Sequence, residues 1–195
     1  MTKDKNEDTI REIRKEFFAF RNGIVADRLR KAGDTHAVIM GCLLSDVVEI
    51  ANRVRDNVPD ETELARLAQE LWNDTASREC RLAAPMLFPP SLMSRDLALG
   101  WCGTIENVEI ADNLCHKLLR HIAEADAVFD HLIKQGDPLA RYTGYRLLLN
   151  LLLLGKIKPS QSLRASVEAE KVQADSICAP LLRDIMEELD GSDEL

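Results

Sequence analysis

LARLAQELWNDTASRECRLAAPML, residues Leu64–Leu87, decides the fold. In its first half Leu64, Leu67, Ala68 and Leu71 recur at helical spacing, with Arg66, Gln69 and Glu70 between them. Asn73, Asp74 and Thr75 break that pattern, because short polar side chains favour caps and turns over helix interiors. Cys80, Ala83, Ala84 and Leu87 form the next stripe, which Pro89-Pro90 stops. With so short a connector the two helices pack antiparallel, and neither buries its stripe alone. Stacking on neighbouring pairs solves this, so the spacing predicts a helical repeat.

Working outward, residues 8–32 read as one helix with Ile10, Ile13, Phe17, Phe20 and Ile24 on a single face and Gly23 as a bend or early end. Arg14, Arg21 and Arg28 follow that stripe at seven-residue intervals, either snorkelling at its edge or forming a phosphate-contacting ridge. Gly33-Asp34 is a stop signal, and a helix over Leu44–Asn57 takes Ser45 as its N-cap. Further helices are predicted over Ser91–Trp101, Glu106–Ile122, Glu124–Gln135 and Pro138–Leu154. The last has Asp137 as cap and Pro138 in its first turn. Pro159-Ser160 opens a final helical stretch interrupted at Pro180, and the acidic end GSDEL is expected to fray. No segment alternates with period two, so the fold class is all-α.

At 195 residues the chain is read as one domain. The formal net charge of −8 disfavours nonspecific nucleic-acid or membrane binding through bulk electrostatics, although a local basic groove is compatible with it. Five scattered cysteines without a CxxC pair read as buried thiols of a reducing, cytoplasmic compartment. The polar start MTKDKNED does not read as a signal peptide, and the apolar run Leu147–Leu154 is too short to span a bilayer. No membrane partner is expected.

Three segments in order carry a resemblance: FFAFRNGIVADRLRKAG (Phe17–Gly33), LAQELWNDTASRECRLAAPML (Leu67–Leu87), and W-x(3)-I-x-N-x-E-I-A-D (Trp101–Asp112). Together they resemble the HEAT-like DNA alkylation repair proteins, the AlkD-like superfamily, and its short bacterial branch. The match covers about residues 17–154. It implies a HEAT-like α-α superhelix, a right-handed solenoid of antiparallel helix pairs with a concave groove. Residues 156–195 are left as C-terminal helices and tail.

Glycosylases of that family release cationic alkylpurines, so the resemblance implies duplex DNA carrying alkylated bases as partner, with no cofactor and no metal. In such chemistry a carboxylate stabilises the oxocarbenium sugar, indole faces hold cations, and arginines hold phosphates. By resemblance Asp112 is the catalytic carboxylate, in NVEIAD where the family carries a segment like NWDLVD; Val108 stands in the tryptophan's place. Arg141 and Arg146 are the candidate phosphate contacts, and no tryptophan follows Trp101 to build the later aromatic wall. Two functions follow: a DNA-repair-related protein binding alkylated or distorted DNA with weakened N-glycosylase chemistry, or a noncatalytic scaffold for protein partners.

Other clusters carry two readings each. Arg78-Glu79 and Arg81 either face a groove or, as the resemblance implies, brace neighbouring helices. Glu109, Asp112 and His116 share a helix face, as a metal site would require, but no further ligand is identifiable. Trp72 and Trp101 are expected to pack between helices.

Overall fold

Polar caps and prolines divide the chain into helices, and the computed structural model describes residues 2–173 and 177–191. The helices are α1 (Thr2–Ala19), α2 (Gly23–Lys31), α3 (Leu44–Asn57), α4 (Glu61–Asn73), α5 (Arg78–Leu87), α6 (Arg95–Cys102), α7 (Val108–Lys117), α8 (Ala125–Leu132), α9 (Pro138–Leu153), α10 (Gln161–Gln173) and α11 (Ala179–Gly191). Short 3-10 turns cover Pro90–Leu92 and Leu119–His121. Among the described residues β-pairing is limited to one isolated bridge between Val38 and Ser77. Residues 192–195, and the fraying expected of GSDEL, lie outside the described residues.

The chain gathers into two compact units, Met1–Leu92 and Met93–Leu195. In the first, α5 packs on both α4 and α3, and α1 packs on α3 and α4. The stripes read from Leu64–Leu87 do this work: Leu64, Leu67, Ala68, Leu71, Cys80, Ala83, Ala84 and Leu87 are all buried. In the second, α9 is the hub, touching α7, α8 and α11. Its run Leu147–Leu152 is buried, as a helix enclosed by three neighbours requires. Asp137 caps α9 by accepting the Ala140 N–H at 2.7 Å, with Pro138 in the first turn as expected.

Three local expectations are corrected. The helix read over residues 8–32 is two helices, because Asn22 interrupts it. Its Oδ1 accepts the N–H groups of Ile24 and Val25, and its own N–H donates to the Met40 carbonyl at 2.9 Å. The buried stripe therefore ends at Phe17, while Phe20 and Ile24 are exposed. The N-terminus of α3 is held by Asp46, which accepts the Leu43 N–H at 2.9 Å, and not by Ser45. The helix read over 106–122 stops at Lys117 and tightens into the 3-10 turn.

Around α5 lies a buried charged network. Arg78, Glu79 and Arg81 are at most 4% exposed. The Glu79 carboxylate accepts the N–H groups of Met40 and Gly41, each at 3.0 Å, and the Arg78 guanidinium at 3.0 Å. Arg81 lies 3.6 Å over the Trp72 ring and donates to the Trp72 carbonyl at 2.7 Å. These residues brace helices and a loop; they do not face a groove.

The loop that Glu79 holds runs tightly along α2. Gly41 has φ +76°, and a Cβ there would sit 2.2 Å from the Asn22 carbonyl oxygen and 2.7 Å from the Ala26 nitrogen. Both obstacles are backbone, so neither can rotate aside. Gly41→Ala is therefore expected to destabilise the protein by at least about 2–3 kcal/mol in urea denaturation, beyond the cost of a positive φ alone. A loss under about 1 kcal/mol would show that this approach is not held in solution.

Candidate nucleic-acid interface

The sequence candidates converge on α7 and α9, which pack against each other. Asn107 caps α7 by accepting the Ile110 N–H at 3.0 Å, which sets Val108 and Asp112 one turn apart on the same face. Val108 is 40% exposed, so its position suits an aromatic platform, yet valine supplies only a small apolar surface. The two tryptophans are elsewhere: Trp72 and Trp101 are both 2% exposed and pack between helices, as expected.

Asp112 does not stand alone. Its Oδ1 accepts the Tyr142 hydroxyl at 2.9 Å and lies 2.9 Å from Arg146 Nε. Burial, and then the neighbouring Asp112 carboxylate, push the Tyr142 hydroxyl well above its usual range, so it remains a donor at neutral pH. A carboxylate held between a phenol and a guanidinium has its charge largely balanced. It stabilises an oxocarbenium ion strongly only after Arg146 turns to another anion, such as a phosphate.

Arg146 is thus both a candidate phosphate contact and the partner of the candidate catalytic group. Arg141, the other candidate, reaches Glu170 on α10 at 3.6 Å. α9 places these two arginines on different neighbours: Arg146 toward α7, Arg141 toward α10.

Beyond Arg146 the structure assembles cations that sequence reasoning passed over. Arg120 Nε lies 3.1 Å from His121 Nε2, and Lys156 Nζ donates to the Arg120 carbonyl at 2.7 Å. The His116 pKa is lowered from its ordinary value of 6.5, first by burial and then by the positive charges of Arg120, Lys117, Arg146 and His121. His121 is lowered likewise, by burial and then by Arg120 and Lys156. Lys117, Arg120, Arg146 and Lys156 therefore set one positive field around His116 and His121, at the C-terminal end of α7 and the loop after α9. The signal was in the sequence: residues 113–123 and 138–167 contain no aspartate or glutamate, in a chain of net charge −8.

Other chemistries find less support. All five cysteines are buried. Burial pushes the Cys42 and Cys102 thiols up to about 12 and Cys80 to about 11, and raises Cys115 well above the usual range. These four are protonated, poor nucleophiles. Among the described residues no three His, Cys, Asp or Glu side chains gather as metal ligands, and no helix is long and apolar enough to cross a membrane.

Among solved structures, the chain is similar to one described as a new family of proteins related to the HEAT-like repeat DNA glycosylases with affinity for branched DNA structures. That similarity has a TM-score of 0.77 at 19% identity, over 95% of this chain and 77% of the other. It confirms the all-α, HEAT-like repeat fold expected from the helix pairs. No curated protein matches the sequence. Residues 13–158 match the DNA alkylation repair enzyme family, a span that includes α7, α9 and the whole cationic cluster. The chain belongs to the DNA alkylation repair enzyme family.

Proposed function

We propose that the protein binds DNA through the basic face formed by α7, its following turn and the end of α9, with Asp112 supporting at most slow release of cationic alkylpurines. The cationic cluster beside Asp112 carries this reading, because an acidic protein gains nothing in stability from massing like charges, and a polyanion relieves their repulsion. The similarity to a protein with affinity for branched DNA makes distorted or branched duplexes the first ligands to compare with alkylated ones. The slow chemistry follows from Val108 and from the pairing of Asp112 with Arg146. Losing one desolvated cation–π contact alone removes about 2 kcal/mol, or more than one decade of rate.

The test is release of N3- or N7-methylpurine from alkylated duplex DNA, alongside binding of intact and branched duplexes. DNA binding that survives Asp112→Asn, with base release that is slow and abolished by it, is the expected result. Release that is unaffected by Asp112→Asn would remove the carboxylate's role, and absence of salt-sensitive DNA binding would remove the reading as a whole.

The histidines add a pH dependence. In the free protein both lie below 6.5, so they are neutral at about pH 7.5. A bound phosphate favours the imidazolium, so binding takes up protons and affinity rises as pH falls from neutrality through the acid range. Anisotropy titrations across that range should show the gain, and His116→Ala/His121→Ala should flatten it. An equal gain in the double variant would assign the effect to other groups.

A further inference from the structure

The break between α1 and α2 leaves a surface in the first unit that the proposed function does not use. Phe18 is 54% exposed, Phe20 37% and Ile24 76%, in a protein with only five phenylalanines. Arg21 lies 4.0 Å over the Phe18 ring, held there by a 2.9 Å bond to the Phe18 carbonyl. Beside it a cleft of about 530 Å³ opens between α2 and the loop at Ile39–Met40, with Arg21 and Arg30 in its lining and Asp27 as the carboxylate there. Residues 18–33 carry Arg21, Arg28, Arg30 and Lys31 against Asp27 alone. Asp27 engages Arg30 only at 3.8 Å. Of the two readings of Arg14, Arg21 and Arg28, the continuous ridge is not met: Arg14 pairs with Asp74 at 2.8 Å, on the other side of the break.

We propose that this corner binds unpaired nucleic acid, with a base stacked at Phe18 and Arg21 and backbone phosphate in the cleft between Arg21 and Arg30. Exposed aromatics interleaved with arginines are what single strands require: every base has a π-face, and arginine serves both stacking and phosphate. A protein partner would use the apolar side chains but has no need of Arg21 and Arg30 in the cleft; an acidic peptide would use the cations but has no need of a presented phenyl ring. The proposal rests on the reading of the protein as nucleic-acid-binding, and it concerns a separate unit.

Anisotropy with a fluorescent oligo-dT strand and with a blunt duplex tests it, on wild type, Phe18→Ala and Arg21→Glu/Arg30→Glu, with unlabelled poly-glutamate as competitor. Oligo-dT binding should weaken about tenfold in Phe18→Ala and more in the double variant, while blunt-duplex binding changes less than threefold. Circular dichroism confirms that each variant is folded; these side chains are exposed, so folding should persist. Phe18→Tyr, which keeps a ring, should restore most of the affinity. No oligo-dT binding, or binding indifferent to Phe18, would overturn the proposal, as would poly-glutamate displacing the strand at equal charge concentration. Loss of duplex binding with oligo-dT binding intact would instead strike the second unit's interface and leave this one standing.

Discussion

Glu79→Ala is expected to destabilise the protein by about 3–5 kcal/mol, enough to leave much of it unfolded at physiological temperature. Three donors lose an acceptor at once: the N–H groups of Met40 and Gly41, and the guanidinium of Arg78, which keeps the Cys42 carbonyl at 3.3 Å. Glu79 is 0% exposed and Arg78 4%, so water cannot substitute without opening the core. Asp34 lies 3.8 Å from Arg78 Nε and relieves the stranded charge only in part. Glu79→Gln keeps one acceptor oxygen but turns an amide toward the donors, so it should fall between wild type and alanine. Urea denaturation followed by far-UV circular dichroism measures both. A loss below about 1 kcal/mol for alanine would mean that the loop at Met40–Gly41 is not anchored as described. The effect belongs to the fold, since Glu79 lies in a different unit from Asp112.

The second large effect is functional. Lys117→Glu/Arg120→Glu is expected to lower duplex affinity on the order of 100-fold near physiological salt, with no loss of helical content. Lys117 and Arg120 are partly exposed, and both act on His116 through like charge. Reversing them removes two favourable phosphate contacts and adds two repulsive ones. It also relieves repulsion within the free protein, so stability should hold or rise slightly. Loss of binding through unfolding is thereby separable from loss through charge.

Much of the fold was legible from particular residues. The stripes of Leu64–Leu87, the stop at Pro89 and the start at Asp137-Pro138 rest on local rules, and the helices follow them. Gly23 marked a bend or early end near the break, but the part played by Asn22 was not legible, because it also rests on a hydrogen bond to Met40, distant in sequence. Ser45 lost the cap to Asp46 because a carboxylate reaching back to an N–H serves as well as a hydroxyl reaching forward. At the site, spacing could place Asp112 on α7, but not Arg146 and Tyr142 against it: that pairing exists only once α9 packs on α7. The stretches free of carboxylates were plain in the sequence. Spacing did not show that the folded chain sets Lys117 and Arg120 around His116, and Arg120 and Lys156 around His121.

The most direct measurement is the salt dependence of duplex binding by wild type and by Lys117→Glu/Arg120→Glu. Each neutralised phosphate contributes about 0.9 to the slope of log K against log salt. With Lys117, Arg120, Arg146 and Lys156 engaged, a wild-type slope between about −3 and −4 is predicted, shallower by about 2 in the variant. Equal slopes and affinities for the two proteins, or binding insensitive to salt, would contradict a DNA interface on the basic face beside Asp112.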